Sequence, residues 1–235
     1  MSVTYTQVVD GDVTVALITM DDGKANALTH ELLSELRGAL DRAEDEATAV
    51  VLTGREGRFS AGFDLSVMTS GEEPMRALVI DGARFLARLF TYPLPVVAAC
   101  NGHALAAGAL VLLTADHRIA AAGPFKIGLN EVAIGMALPQ FAVELARYRI
   151  PPSQLDPALL GEVFDPDGAT VAGYADRVVA PDALATEALA TARQLGQLRK
   201  GAVARTKQAA RGAIAQEILD TVEADMASMS GPTPG

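Results

Sequence analysis

One stretch near the middle of the chain, NGHALAAGALVLLTAD at residues 101–116, restricts the possible folds more than any other. No ionisable side chain lies between His103 and Asp116, so this segment must be buried. Its apolar run from Ala104 to Ala115 is about twelve residues long, whereas a helix that spans a bilayer needs roughly twenty. We therefore expect an interior helix preceded by a tight loop, and no membrane span.

The composition fits one folded core with an appendage. The 235 residues are 50% hydrophobic and only 20% charged, which is typical of an ordered globular chain. A net charge of −10 argues against a general nucleic-acid binder, because such proteins need an excess of Lys and Arg. The single Cys100 cannot form an intramolecular disulfide, and the N-terminus lacks the basic-then-apolar order of a signal peptide. We expect a cytoplasmic location.

Strand and helix patterns alternate along the first part of the chain. Four short apolar segments resemble buried strands: residues 13–20, 49–54, 95–100 and 117–121. Helical spacing of apolar residues follows Thr29, a typical N-cap, and recurs over about residues 74–91. This alternation predicts an α/β fold with crossover connections.

The last part of the chain is predicted to be helical. From about residue 181 the pattern indicates two helices joined near Gly201 and a frayed tail at 230–235, so we divide the chain into a core, 1–180, and a C-terminal helical region, 181–235. All charged residues between Glu187 and Glu217 are basic: Arg193, Arg199, Lys200, Arg205, Lys207 and Arg211. They form either a solvated helix face or a patch for ligand phosphates.

Several common kinds of site are not indicated. His30, His103 and His117 do not have the spacing of zinc ligands, and Cys100 has no partner, so we expect no metal. Ser60 stands in RFSAGF, which lacks the G-x-S-x-G elbow of a serine hydrolase. The chain contains no P-loop and no GxGxxG. Chemistry must come from another arrangement.

A strand, a turn of small residues and a helix occur together twice. GRFSAGFDL follows AVVLTG, and NGHALAAGALVLL follows PVVAAC. Free backbone N–H groups at such turns can donate hydrogen bonds, and two from separate loops would form an oxyanion hole. Turns of small residues are also common as simple packing devices, so this pattern alone leaves both interpretations open.

Five segments in order resemble the crotonase superfamily, the enoyl-CoA hydratase and isomerase group. They are KANAL (24–28), FSAGFDL (59–65), NGHALAAGALVLLTAD (101–116), PFKIGLNEVAIGMALP (124–139) and LLGEVFDPDGATVAGYADRVV (159–179). The resemblance implies an α/β spiral of repeated ββα units, followed by helices that mediate a homotrimer or a dimer of trimers. It also implies an acyl-CoA thioester as substrate and no separate cofactor.

The same resemblance implies the site residues. Backbone N–H groups of Phe63 and Ala107 would form the oxyanion hole, and Glu131 would be the catalytic carboxylate. Residues expected to bind coenzyme A or the acyl group are Lys24, Ala25, Ala27, Leu28, Ala61, Gly62, Asp64, Leu65, Gly108 and Leu110.

The chain departs from the hydratases of this superfamily at Leu110. Hydratases with two catalytic glutamates carry one of them at this position, three residues after the second oxyanion donor. A single carboxylate, Glu131, suffices to move a double bond, so we expect an isomerase. The alternatives are a non-catalytic acyl-CoA binding protein, a conventional 2-enoyl-CoA hydratase of reduced activity, and another thioester reaction of the superfamily. Asp116, six residues on, faces away from Leu110 on a helix and is no substitute.

Simple structural roles are expected for other polar residues. His103 is expected to be structural, Asp64 to fix its loop or cap a helix, and Asp116 to stabilise the end of its own element. Three basic residues are expected to be solvated, or else to reach coenzyme A phosphates: Lys24, Arg205 and Lys207.

Overall fold

The computed structural model describes residues 1–228. Its strands are β1 (Val3–Asp10), β2 (Val13–Met20), β3 (Ala49–Thr53), β4 (Gly57–Ser60), β5 (Val96–Cys100), β6 (Gly102–Leu105), β7 (His117–Ala121), β8 (Ile127–Gly128) and β9 (Arg177–Val179). Its helices are α1 (His30–Glu46), α2 (Leu65–Met68), α3 (Glu72–Phe90), α4 (Ala107–Thr114), α5 (Gln140–Arg149), α6 (Pro152–Leu159), α7 (Pro166–Val171), α8 (Leu184–Gly196) and α9 (Lys200–Ser228). A short 3₁₀ helix covers Val132–Ile134.

The strands form two sheets. Six strands make the larger sheet in the order β1-β2-β3-β5-β7-β9, and β4-β6-β8 make the smaller one. Only β1 and β2 pair in antiparallel fashion, while the other pairs of named strands are parallel. Three consecutive strand pairs each place their first strand in the larger sheet and their second in the smaller one. This repetition is the spiral of ββα units that the family resemblance implied.

Helices cover both faces of the larger sheet. α8 packs on one face, against β2, β3, β5 and β7. The main core lies on the other face, where α1 packs against β1 and β2. Beyond it, α3 and α5 each pack against both α4 and α9. All eight residues of α4 are buried, which explains why that segment carries no charge.

The four predicted inner strands and the two N-terminal helices are confirmed. Thr29 caps α1, where its Oγ1 accepts a hydrogen bond from the Leu32 N–H at 3.1 Å. The two predicted C-terminal helices are confirmed as α8 and α9, which are joined at residues 197–199, just before Gly201 in the first turn of α9. Strand β1 was not predicted. The expected tail at 230–235 lies outside the described residues, and within residues 1–228 no helix is long and apolar enough to cross a membrane.

Candidate active site

Three parallel strands bring the predicted catalytic groups together. β4, β6 and β8 lie side by side and parallel, so their carboxyl ends meet at one edge of the smaller sheet. Phe63 follows the end of β4, Ala107 directly starts the helix after β6, and Glu131 follows β8. Ligands of parallel sheets bind at such an edge. Phe63 and Glu131 line the same pocket there.

The loops that carry Phe63 and Ala107 touch each other at Gly62. This glycine has φ +88°, and a Cβ atom on it would lie 2.7 Å from the Cβ of Ala106 and 3.0 Å from the nitrogen of Ala107. Only a residue without a side chain fits so close to the second loop. Phe63 is the next residue, so its N–H and that of Ala107 belong to adjoining backbone segments.

The described part of the fold uses neither of these two N–H groups. Within residues 1–228, neither the N–H of Phe63 nor that of Ala107 donates to another protein group. Ala107 is the first residue of α4, where N–H groups have no partner within the helix and the helix dipole favours negative charge. The pair has the composition of an oxyanion hole.

Ala106 holds the second loop in an unusual conformation. Its φ is +50° and its ψ is −129°, a combination that glycine adopts more easily than alanine. The N–H of Ala106 donates to the Gly128 carbonyl at 3.0 Å, and its own carbonyl accepts from the N–H of Ala109 at 2.8 Å. The loop is thereby tied to β8 on one side and to α4 on the other.

Glu131 is a partly buried carboxylate of unusual basicity. Among the described residues no hydrogen-bond partner reaches its buried Oε2. Burial raises the pKa of Glu131 well above the usual range, to about 7, although its own backbone N–H opposes this rise. Its main chain is fixed, because its carbonyl accepts hydrogen bonds from the N–H groups of Ile134 at 3.0 Å and Met136 at 2.9 Å. Such a group can take up and release a proton near neutral pH.

The pocket beside Glu131 is otherwise apolar. Its cavity has a volume of about 40 Å³, and of the described residues that line it only Glu131 is ionisable. Leu110, only 1% exposed, forms part of the wall. Sequence reasoning missed four methionines that also line it: Met68, Met75, Met136 and Met226. They come from separate elements, and no local spacing in the sequence connects them.

The structure brings some of the predicted binding residues together. Segment 25–28 runs beside 61–64, where the Ala61 N–H donates to the Ala25 carbonyl at 3.0 Å and the Leu28 N–H to the Gly62 carbonyl at 2.8 Å. Ala27 lies within the same segment. Gly108 lies against β4, since a Cβ on it would stand 2.3 Å from the Ser60 carbonyl oxygen.

Of the predicted binding residues, Leu110 alone is among the described residues that line the pocket. Lys24 and Leu65 are exposed and are not among the residues that line it. Asp64 caps α2, where its carboxylate accepts from the Ser66 N–H at 2.7 Å, as expected. His103 serves the fold, because its Nδ1 accepts a hydrogen bond from the Lys126 N–H at 3.0 Å.

The predictions for Lys207 and Asp116 are wrong. The Lys207 ammonium is buried and lies 2.7 Å from Asp116, and Arg211 contacts the same carboxylate at 2.8 Å. The Asp116 carboxylate also accepts a hydrogen bond from the Val96 N–H at 2.8 Å. It therefore connects β5 to α9, whereas we expected it to stabilise only the end of its own element. The run of basic residues therefore forms neither one solvated face nor one phosphate patch, although Arg205 is exposed.

No other kind of reactive centre is apparent in the described part of the chain. Across residues 1–228, no three His, Cys, Asp or Glu side chains are grouped so that they could hold a metal ion. Burial raises the pKa of the Cys100 thiol to about 12, which makes it a poor nucleophile. The groups that could do chemistry at this edge of the smaller sheet are one basic carboxylate, Glu131, and two backbone N–H groups without a partner in the described part of the protein.

Several known proteins resemble this chain in sequence and in structure. A family profile described as enoyl-CoA hydratase/isomerase matches residues 10–232. A crystal structure of an enoyl-CoA hydratase/isomerase family protein from Pseudomonas syringae has a TM-score of 0.92 and 41% identity, and covers 97% of this chain and 98% of that one. Human mitochondrial enoyl-CoA delta isomerase 1 is 33% identical over 223 residues, which are 92% of this chain and 74% of the relative. A putative enoyl-CoA hydratase of Thermus thermophilus is 33% identical over 208 residues, 86% of this chain and 81% of the relative.

Proposed function

Because this chain belongs to the enoyl-CoA hydratase/isomerase family, we propose that it moves the double bond of an enoyl-CoA thioester. In this proposal Glu131 is the acid–base group, and the N–H groups of Phe63 and Ala107 bind the thioester oxygen. The observation that carries the proposal is that Glu131 is the one ionisable side chain among the described residues of the pocket.

The reaction needs one proton to be moved between two carbons. Glu131 would remove a proton from C2 of a 3-enoyl thioester, and the electron pair would pass to the carbonyl as a dienolate forms. The two N–H groups bind that developing oxyanion more strongly than the original carbonyl, so they stabilise mainly the transition state. Glu131 would then return the proton to C4, which leaves a 2-enoyl thioester and restores the carboxylate. A pKa near 7 suits both steps.

Leu110 favours isomerisation over hydration. Addition of water across the double bond is easiest when one carboxylate activates the water and another supplies a proton. Leu110 shares the pocket with Glu131 and offers neither a proton nor a hydrogen bond. One of the relatives is nevertheless named a putative enoyl-CoA hydratase, so a 2-enoyl-CoA hydratase of reduced activity is the second candidate.

The decisive experiment offers a 3-enoyl-CoA and a 2-enoyl-CoA to the wild type and to Glu131→Gln. We expect isomerisation by the wild type and a loss of about 10³-fold in kcat/KM in the variant. Glu162→Gln is the matched control, because Glu162 is exposed and does not line the pocket. It should retain full activity. Acyl-CoA binding without turnover of either substrate would instead identify a binding protein.

Two further expectations accompany this proposal. The sequence resemblance implies a homotrimer or a dimer of trimers, which analytical ultracentrifugation would measure. The expected cytoplasmic location would be tested by fractionating cells that produce the protein.

A further inference from the structure

Four helices form a ring around the pocket. α4 packs against α3 and α5, and α9 packs against the same two helices. Each of the four contributes residues that line the pocket, including Leu110 from α4 and Met226 from α9. Since α4 and α9 each bridge α3 and α5, they face each other across the cavity. The oxyanion donor Ala107 begins α4, so α9 forms the wall opposite the reacting end.

Met226 is held firmly in that wall. It is only 2% exposed. On one side of it, the Asp225 carboxylate accepts a hydrogen bond from the Gln140 N–H of α5 at 2.8 Å. On the other side, the Ala227 carbonyl accepts one from Arg76 of α3 at 3.4 Å. The end of α9 is therefore tied to both neighbouring helices at the level of Met226.

The walls between α4 and Met226 suit an aliphatic chain. α3 contributes Met75 and Val79, and α5 contributes Phe141 and Ala142, all of them apolar. The flexible methionine side chains can adapt to a bent hydrocarbon. None of these side chains can compensate a charged group at the end of the acyl chain.

We propose that Met226 closes the end of the acyl pocket opposite α4 and thereby limits the length of the aliphatic acyl chain that the protein accepts. This inference rests on the proposed function only in placing the thioester at the α4 end. Each methylene group buried before the limit should tighten binding about fourfold. Beyond the limit, further methylene groups should add nothing. Met226→Ala should make room for about two more of them.

The test measures dissociation constants by calorimetry for saturated acyl-CoA thioesters of increasing chain length. These have no double bond to move, so binding is measured without turnover. We expect a break in the plot of affinity against length for the wild type, and the same break about two carbons later for Met226→Ala. Met226→Phe enlarges the side chain, so it should move the break to shorter acyl chains. This second variant keeps the test valid if Met226→Ala does not fold.

Val222→Ala is the matched control. Val222 lies one turn earlier on α9, is equally buried, and does not line the pocket. In this variant the break in the plot of affinity against chain length should stay at the wild-type length. A shifted break in Val222→Ala would overturn the proposal. An unchanged break in both Met226 variants would overturn it too. A thioester with a terminal carboxylate should bind at least about 100-fold more weakly than its aliphatic counterpart; equal binding would also count against it. A shifted break without isomerase activity would overturn only the proposed reaction.

Discussion

A Cβ atom on Gly62 would stand 3.0 Å from the backbone nitrogen of Ala107, so the two loops that carry the proposed oxyanion donors are in direct contact. Gly62→Ala should push these loops apart. Because an oxyanion hole depends on the position of both donors, we expect kcat/KM for isomerisation to fall by about 10²- to 10³-fold. Steady-state kinetics on a 3-enoyl-CoA would measure the loss.

Gly57→Ala separates the effect of contact from that of backbone strain. Gly57 also has a positive φ, +73°, but a Cβ on it would meet nothing within 4 Å. This variant should lose roughly 1 kcal/mol of stability from strain and keep its kcat/KM. A similar loss of activity in both variants would show that the contact with Ala107 is irrelevant.

The activity should depend on pH through Glu131. Burial raises the pKa of this carboxyl to about 7, and it must be ionised to accept a proton from C2. We expect kcat/KM to rise with pH up to about 7 and to level off above it, as measured between pH 5 and 9. A profile that stays flat down to pH 5 would contradict the role of Glu131 as the base.

The same carboxylate should lower the stability of the fold as pH rises from about 4 to about 7. An unfolded glutamate has a pKa of about 4.3, and the folded value for Glu131 is about 7. Between these values the folded state binds more protons, so the contribution of this group to stability falls as pH rises. Glu131→Gln removes the charge and should gain on the order of 3 kcal/mol at pH 8 relative to its effect at pH 4. Urea unfolding at both pH values would measure the difference, and equal effects would contradict it.

The elements that depend on residues close together in the chain could be predicted from the sequence. Four strands of the larger sheet, β2, β3, β5 and β7, and the cap of α1 depend on neighbouring residues, so apolar patterning and the position of Thr29 were sufficient to predict them. The grouping of Phe63, Ala107 and Glu131 followed from a resemblance in motif order. The structure supplies the physical reason, which is that all three follow the carboxyl ends of adjacent parallel strands.

What the sequence did not reveal depends on contacts between distant segments. Met226 reaches the pocket only because α9 packs back on α3 and α5, and nothing near it in sequence indicates this. Lys207 resembles the solvated basic residues around it, yet its partner Asp116 lies 91 residues away. Strand β1 pairs only with β2 and is largely exposed, so it lacks the apolar signature of the inner strands.

The ion pairs of Asp116 should contribute strongly to stability. Its carboxylate contacts the buried cations of Lys207 and Arg211. Asp116→Asn would leave both charges without their partner, which typically costs about 3 to 5 kcal/mol. Glu46→Gln is the control, because it breaks the exposed pair with Arg42 and should cost at most about 0.5 kcal/mol. Urea unfolding of both variants would measure the contrast, and equal losses would show that the Asp116 cluster is not a buried network.

Restoring a second acid at position 110 should create hydratase activity. Leu110 lines the same pocket as Glu131 and lies on α4 one turn after Ala107. In Leu110→Glu, one carboxylate could activate water while the other donates a proton, so we expect hydration of a 2-enoyl-CoA at least about tenfold above the wild type. Leu110→Gln has a similar shape but supplies no acid, and it should show no gain. Rapid hydration by the wild type, or an equal gain in the glutamine variant, would mean that a group other than residue 110 controls the choice between isomerisation and hydration.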